Sequence, residues 1–158
     1  MIQVRPCCAE DFDAVRALLA QLWPDKPLPA ASARAVYDRA LASDRQAYLC
    51  AVDGGKVVGF GSLTIKNTLW PEGPLVSVDE LVVDEKHRGR GIGTKLLAGL
   101  VSLAEERGCR RVELDSAHHR KEAHQFYQQQ GFENRACLFS KALMPGPAPS
   151  KGKAHVRT

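Results

Sequence analysis

Arg88-Gly89-Arg90-Gly91-Ile92-Gly93-Thr94-Lys95 decides how this chain folds, because of what stands on either side of it. Leu75 to Val83 before it is rich in β-branched and aliphatic residues, and Leu96, Leu97, Leu100, Val101 and Ala104 after it keep helical spacing up to Gly108. The order is therefore strand, glycine-rich turn, helix. Arg110 to Asp115 then alternates Val112 and Leu114 on one face, so strand 75–83, helix 93–107 and strand 110–115 make a right-handed βαβ unit. Glycines let a backbone come close to a ligand, and the first N–H groups of the helix point outward at the positive end of its dipole. Such a place holds phosphate, and Arg88 and Arg90 add the charge that suits a diphosphate.

Spacing limits which phosphate ligand this can be. A Walker loop needs Gly-Lys-Ser/Thr, whereas the last glycine here is followed by Thr94 and only then by Lys95. Gly89, Gly91 and Gly93 form GxGxG, not the GxGxxG of a dinucleotide site, and they fall in mid-chain instead of after a first strand. A turn that merely joins strand to helix would not call for two arginines interleaved with its glycines.

The strand before the turn changes phase. Val76 and Val78 share one parity, and Leu81 and Val83 share the other. One extra residue near Asp79-Glu80 restores the pattern as a β-bulge; a strand buried on both faces would also account for it.

Further out, residues 2 to 5 form a short first strand ending at Pro6. Phe12, Val15, Leu18, Leu19 and Leu22 mark an amphipathic helix, three prolines between Pro24 and Pro29 a loop, and 30–41 a second, weaker helix. Asp53-Gly54-Gly55 is a tight turn joining strands 47–52 and 56–65, and 67–74 is a loop. Residues 120–130 make another helix, with Ala123, Phe126 and Tyr127 on one side and Gly131 as its C-terminal cap. Residues 132–143 are expected to add a final strand. The chain divides into one domain, 1–144, and a Pro/Gly/basic tail, 145–158, expected to be mobile.

In these residues the chain resembles the GCN5-related N-acetyltransferases, the GNAT superfamily, and among them the bacterial enzymes that acetylate small amines. Arg88-Gly89-Arg90-Gly91-Ile92-Gly93 matches that family's Gln/Arg-x-x-Gly-x-Gly/Ala pattern. Asp79-Glu80-Leu81-Val82-Val83 is similar to its bulged fourth strand, and Glu122 to Phe132 to its helix-tyrosine-glycine-phenylalanine segment. The resemblance implies an α/β (α+β) fold: a mixed, mostly antiparallel sheet of six to seven strands, splayed at the fourth and flanked by about four helices. It implies acetyl-CoA in the gap, its pantetheine arm along Leu81, Val82 and Val83 and its pyrophosphate on Arg88, Gly89, Arg90, Gly91, Ile92, Gly93 and Thr94. Tyr127 matches the tyrosine that protonates the leaving thiolate; by helical spacing alone it reads as a core aromatic. Glu80 is the first candidate for the base that takes the amine's proton and Asp79 the second. Where many relatives have an asparagine after the fifth strand, this chain reads Asp115-Ser116-Ala117-His118, so Ser116 is expected to stand in for it.

Composition excludes other classes. With 44% hydrophobic and 25% charged residues the 158-residue chain is an ordinary globular protein. No apolar stretch reaches the roughly 18 residues of a membrane span, and Met1 to Arg5 lacks a signal-peptide core, so a cytoplasmic protein is expected. Lys151, Lys153 and Arg157 of the tail leave 19 of the 22 basic residues facing 18 acidic ones, too even a balance for nucleic-acid binding. Cys7, Cys8, Cys50, Cys109 and Cys137 lack a CxxC pair and read as reduced thiols, most of them small core residues, and His118, His119 and His124 lack a ligand pattern, so no metal is expected. The expected function is direct transfer of acetyl from acetyl-CoA to a primary amine of a small molecule by a monomer or homodimer, with an acceptor pocket from 21–43 and 66–76. A protein N-terminus or lysine is the alternative acceptor, and a non-catalytic acyl-CoA sensor the alternative of another class.

Overall fold

The computed structural model describes residues 1–144 and the backbone of 156–157. In chain order the elements are β1 (Ile2–Pro6), α1 (Phe12–Leu22), α2 (Ala30–Leu41), β2 (Gln46–Asp53), β3 (Lys56–Lys66), β4 (Leu75–Val83), α3 (Ile92–Glu106), β5 (Arg111–Glu113), α4 (Lys121–Gln129) and β6 (Val156–Arg157). Strands β1 to β5 lie side by side in sequence order, antiparallel from β1 to β4 and parallel between β4 and β5. The β2–β3 turn is made by Gly54 and Gly55 at φ +55° and +82°, the left-handed pair that a two-residue hairpin requires.

The parity change in β4 is a bulge. Ser62 of β3 faces Glu80 and Leu63 faces Val78, so Asp79 is the extra residue. Val76, Val78, Leu81 and Val83 consequently all enter one core, where Leu96, Leu97 and Leu100 of α3 cover the sheet. Val82 enters the core on the opposite face, with Phe60, Phe12, Val15, Leu18 and Leu22. Helix α3 lies close to the sheet because Gly59 and Gly61 have no side chain: a Cβ at Gly59 would come 2.8 Å from Leu96 Cδ1 and one at Gly61 3.0 Å from Leu100 Cδ1. The acidic start of α1 is tied back to β1 by Arg5, whose Nη1 and Nη2 donate to both carboxylate oxygens of the buried Asp11 at 2.7 and 2.9 Å.

Two expectations are corrected. The sheet proper has five strands, not six to seven, and residues 132–143 form no strand among the described residues. Leu138, Phe139 and Leu143 stand exposed there, so that stretch has β-forming residues without a neighbouring edge to complete its ladder. Strand β5 is also shorter than 110–115. The tail lies outside the described residues except for β6, which pairs in parallel with β4 through Val156↔Leu81 and Arg157↔Val82.

Candidate active site

The site is built on β4 because β5 covers only part of that strand's outer edge. β5 pairs with it only over Leu75–Ser77, short of the bulge at Asp79. Leu81, Val82 and Val83 bury their side chains almost completely, so what they offer a ligand is backbone along the edge opposite β3. β6 takes that edge at Leu81 and Val82, a pairing for which the Pro/Gly/basic composition of the tail carries no signal.

At the end of β4 the chain turns into α3. Gly89 and Gly91 sit at φ +75° and +76°, which a side chain would strain, and nothing lies within 4 Å of a Cβ placed on either. The first bond of α3 runs from Lys95 N to Gly91 O at 3.1 Å, so the amides of Ile92, Gly93 and Thr94 face along the helix axis toward open space. Ile92 and Gly93 are buried and anchor the turn. The arginines differ: Arg88 Nε donates to Val83 O at 3.0 Å and braces the strand end, while Arg90 Nη2 pairs with Asp53 at 3.2 Å on the surface. An exposed pair of that kind contributes at most about 1 kcal/mol, which leaves Arg90 free to exchange Asp53 for another anion.

Tyr127 is 4% exposed, and its hydroxyl has no hydrogen-bond partner. A phenol so placed is unusual, since leaving a buried donor unsatisfied costs about 1–3 kcal/mol. Its position is fixed from both sides. Gly131 at φ +90° ends α4 with Phe132 N donating to Tyr127 O at 2.9 Å, and the Phe126 and Phe132 rings lie 5.3 and 5.9 Å from the Tyr127 ring. Tyr127 shares its core with Leu81 and Val83. Burial pushes the phenol above its usual range, so it stays protonated at neutral pH. Ser116 Oγ is likewise buried without a partner.

Glu80 lies on the other face of β4, with the parity of Val82. Its backbone N–H donates to Ser62 Oγ at 3.0 Å, and the Ser62 hydroxyl donates to its carboxylate. Burial pushes Glu80 up to about 7, with a smaller contribution from Asp79 and against the hydrogen bond from Ser62. Asp79 itself accepts from Thr64 Oγ1 at 2.5 Å. The bulge thus presents two consecutive carboxylates and gives each its own hydroxyl partner.

Residues 12–132 match the model of the acetyltransferase (GNAT) family. The chain belongs to the GNAT family. It is 32% identical over 141 residues to the aminoalkylphosphonate N-acetyltransferase of Salmonella typhimurium, covering 89% of this chain and 91% of that protein. It is 29% identical over 133 residues to a glucosamine 6-phosphate N-acetyltransferase of Trypanosoma brucei brucei, covering 83% and 88%. A putative acetyltransferase from Agrobacterium tumefaciens superposes with a TM-score of 0.82 at 27% identity over 89% of this chain and 99% of that one. An aminoglycoside N-acetyltransferase solved with CoA has the same GNAT fold, with a TM-score of 0.80 at 23% identity over 91% and 96%. This GNAT chain is accordingly an acetyl-CoA-dependent N-acetyltransferase. No helix among the described residues is long and apolar enough to cross a membrane.

One grouping has no counterpart in the sequence pattern. Cys7, Asp11 and Cys50 bring their side-chain ligand atoms within 4.8 Å of one another, but both Asp11 oxygens are held by Arg5. His124 Nε2 lies 2.9 Å from Ala117 O, and this bond closes the start of α4.

Proposed function

We propose that this enzyme acetylates a primary amine of a small molecule, with acetyl-CoA lying along the outer edge of β4 in place of β6, its sulfur at Tyr127 and the amine at Glu80. The observation that carries the reading is the buried, unpartnered hydroxyl of Tyr127. A donor held in an apolar core with nothing to bond fits a group that finds its proton acceptor only in the reaction. Ser116 Oγ, equally unpartnered, fits a contact to the same molecule. The amides of residues 92–94 and the Arg90 guanidinium fit its pyrophosphate.

Acetyl-CoA supplies the acetyl group as an activated thioester. The edge of β4 borders both faces of the sheet, so a tyrosine from one side and a glutamate from the other can serve one bond exchange once the cofactor replaces β6. Glu80 takes the proton that the incoming ammonium must lose, and its position near 7 matches a base working at neutral pH. Tyr127 gives its hydroxyl proton to the departing sulfur. One C–N bond forms and one C–S bond breaks; of the two protons the nitrogen loses by way of Glu80, one is released to solvent and the other restores the Tyr127 phenol. Arg88, tied to Val83 O, keeps the strand end and the glycine turn in fixed relation.

The test is thermal stability with acetyl-CoA, desulfo-CoA and ATP, followed by thiol release in the presence of primary amines. A ligand at about 100 times its dissociation constant stabilises by about 2.7 kcal/mol. Selective stabilisation by acetyl-CoA, lost in Gly91→Glu, supports the reading. Its absence at millimolar concentration would sink it.

A further inference from the structure

Beside Glu80, between α1, α2 and the sheet, lies a cavity of about 150 Å³. That is the size of a cavity that holds benzene. Phe12, Tyr37, Tyr48 and Phe60 line it as a continuous series of edge-on and tilted rings, with successive centroids 5.2–5.4 Å apart. Val15, Leu19, Leu28 and Val36 make much of the remaining wall. The Tyr37 hydroxyl is turned away and donates to Cys8 O at 2.7 Å. The charged side chains of the lining are Glu80 and Arg16, and Arg16 Nε is already engaged with Leu28 O at 2.9 Å. Segment 66–76, expected to share in the acceptor pocket, lines a separate, open groove with Lys66 and Glu113. Trp23, Leu28, Ala33, Val36 and Tyr37 from 21–43 do line the cavity.

Resting on the acetyl-transfer reading above, we propose that the acceptor is an arylalkyl primary amine, its ring in this cavity and its nitrogen at Glu80. An ammonium ion entering here meets the Glu80 carboxylate beside the Tyr37 and Tyr48 rings, and carboxylates and aromatic rings both attract cations. A phosphorylated or phosphonate-bearing amine meets the opposite: aromatic and aliphatic walls and a carboxylate whose field repels it. A sugar hydroxyl set would lose its water to walls that return almost no hydrogen bonds. Tyr48, which burial and the charges of Glu80 and Asp79 raise to about 12, marks how near the acidic pair stands to the aromatic series. This acceptor class departs from the phosphonate and sugar-phosphate amines that name the relatives.

The test compares kcat/KM at pH 8 for 2-phenylethylamine, 2-aminoethylphosphonate and glucosamine 6-phosphate by release of the CoA thiol, with thermal stabilisation by acetyl-CoA measured alongside. Burial of one aromatic ring predicts a preference of about tenfold or more for 2-phenylethylamine. Ala33→Leu, which fills the cavity from α2, is expected to raise the KM for 2-phenylethylamine by about tenfold. Retained stabilisation by acetyl-CoA shows that this variant is folded. Preference for either phosphorus-bearing amine, or no transfer to 2-phenylethylamine, overturns the acceptor class. If acetyl-CoA still stabilises the protein, the acetyl-transfer reading survives that result; if it does not, both fall.

Discussion

Replacing Glu80 by Gln separates activity from stability, and the structure gives the sign of each. Glu80 is pushed up to about 7 by burial, from an ordinary value of 4.5. The folded chain therefore holds that proton more tightly than the unfolded chain, and the wild-type protein loses stability as pH rises from about 4.5 to 7. Above 7 the loss is complete, and at about 1.4 kcal/mol for each pH unit of displacement it amounts to roughly 3 kcal/mol. That is an upper bound, because the side chain retains some contact with water. Glutamine keeps an oxygen for the Ser62 hydroxyl and carries no charge, so Glu80→Gln is expected to be more stable than wild type at pH 8 and equal to it near pH 4. Activity goes the other way: kcat/KM falls by about 10²–10⁴-fold, and the wild-type acid limb with an apparent pKa near 7 disappears. Urea denaturation at pH 4, 6 and 8 and a pH series of initial rates supply both readouts. A variant that is less stable at pH 8 refutes the buried-carboxylate argument, and one that keeps an acid limb near 7 refutes Glu80 as the base.

Tyr127→Phe removes the unpartnered hydroxyl and is expected to lower kcat by about 10²-fold or more while raising Tm, because an unsatisfied buried donor is gone; thermal melts and thiol-release rates check this. Gly59→Val forces atoms to within 2.8 Å of Leu96 Cδ1 and is expected to destabilise by about 1–3 kcal/mol or more, read from denaturant midpoints. Deletion of residues 145–158 vacates the β4 edge that β6 occupies and is expected to lower the KM for acetyl-CoA several-fold; an unchanged KM would show that the segment yields the edge without cost.

How far the sequence carries differs from element to element. The bulge at Asp79 was legible because parity is a strict property of a strand, and one inserted residue shows as a change of phase from Val78 to Leu81. The glycine turn was legible because positive φ at Gly89 and Gly91 has few other causes. The place of Gly131 was legible from the end of the Phe126-Tyr127 helical face. Other features depend on partners distant in the chain. Residues 132–143 have strand-like composition but find no edge among the described residues, and no local pattern reports that. The roles of Gly59 and Gly61 come from the approach of α3, which no spacing within β3 reveals. The Ser62 and Thr64 hydroxyls on Glu80 and Asp79 follow from the β3–β4 register, as does the elevated position of Glu80. The aromatic series draws Phe12, Tyr37, Tyr48 and Phe60 from four separate elements, so no local pattern announces the cavity they line.

The most direct measurement is a crystal structure of the protein with CoA and 2-phenylethylamine together. The account predicts the CoA sulfur within hydrogen-bond distance of Tyr127 Oη, the pantetheine along Leu81–Val83 in place of Val156–Arg157, and the amine nitrogen at Glu80. A sulfur lodged away from Tyr127, or an amine seated outside the cavity beside Glu80, would contradict it.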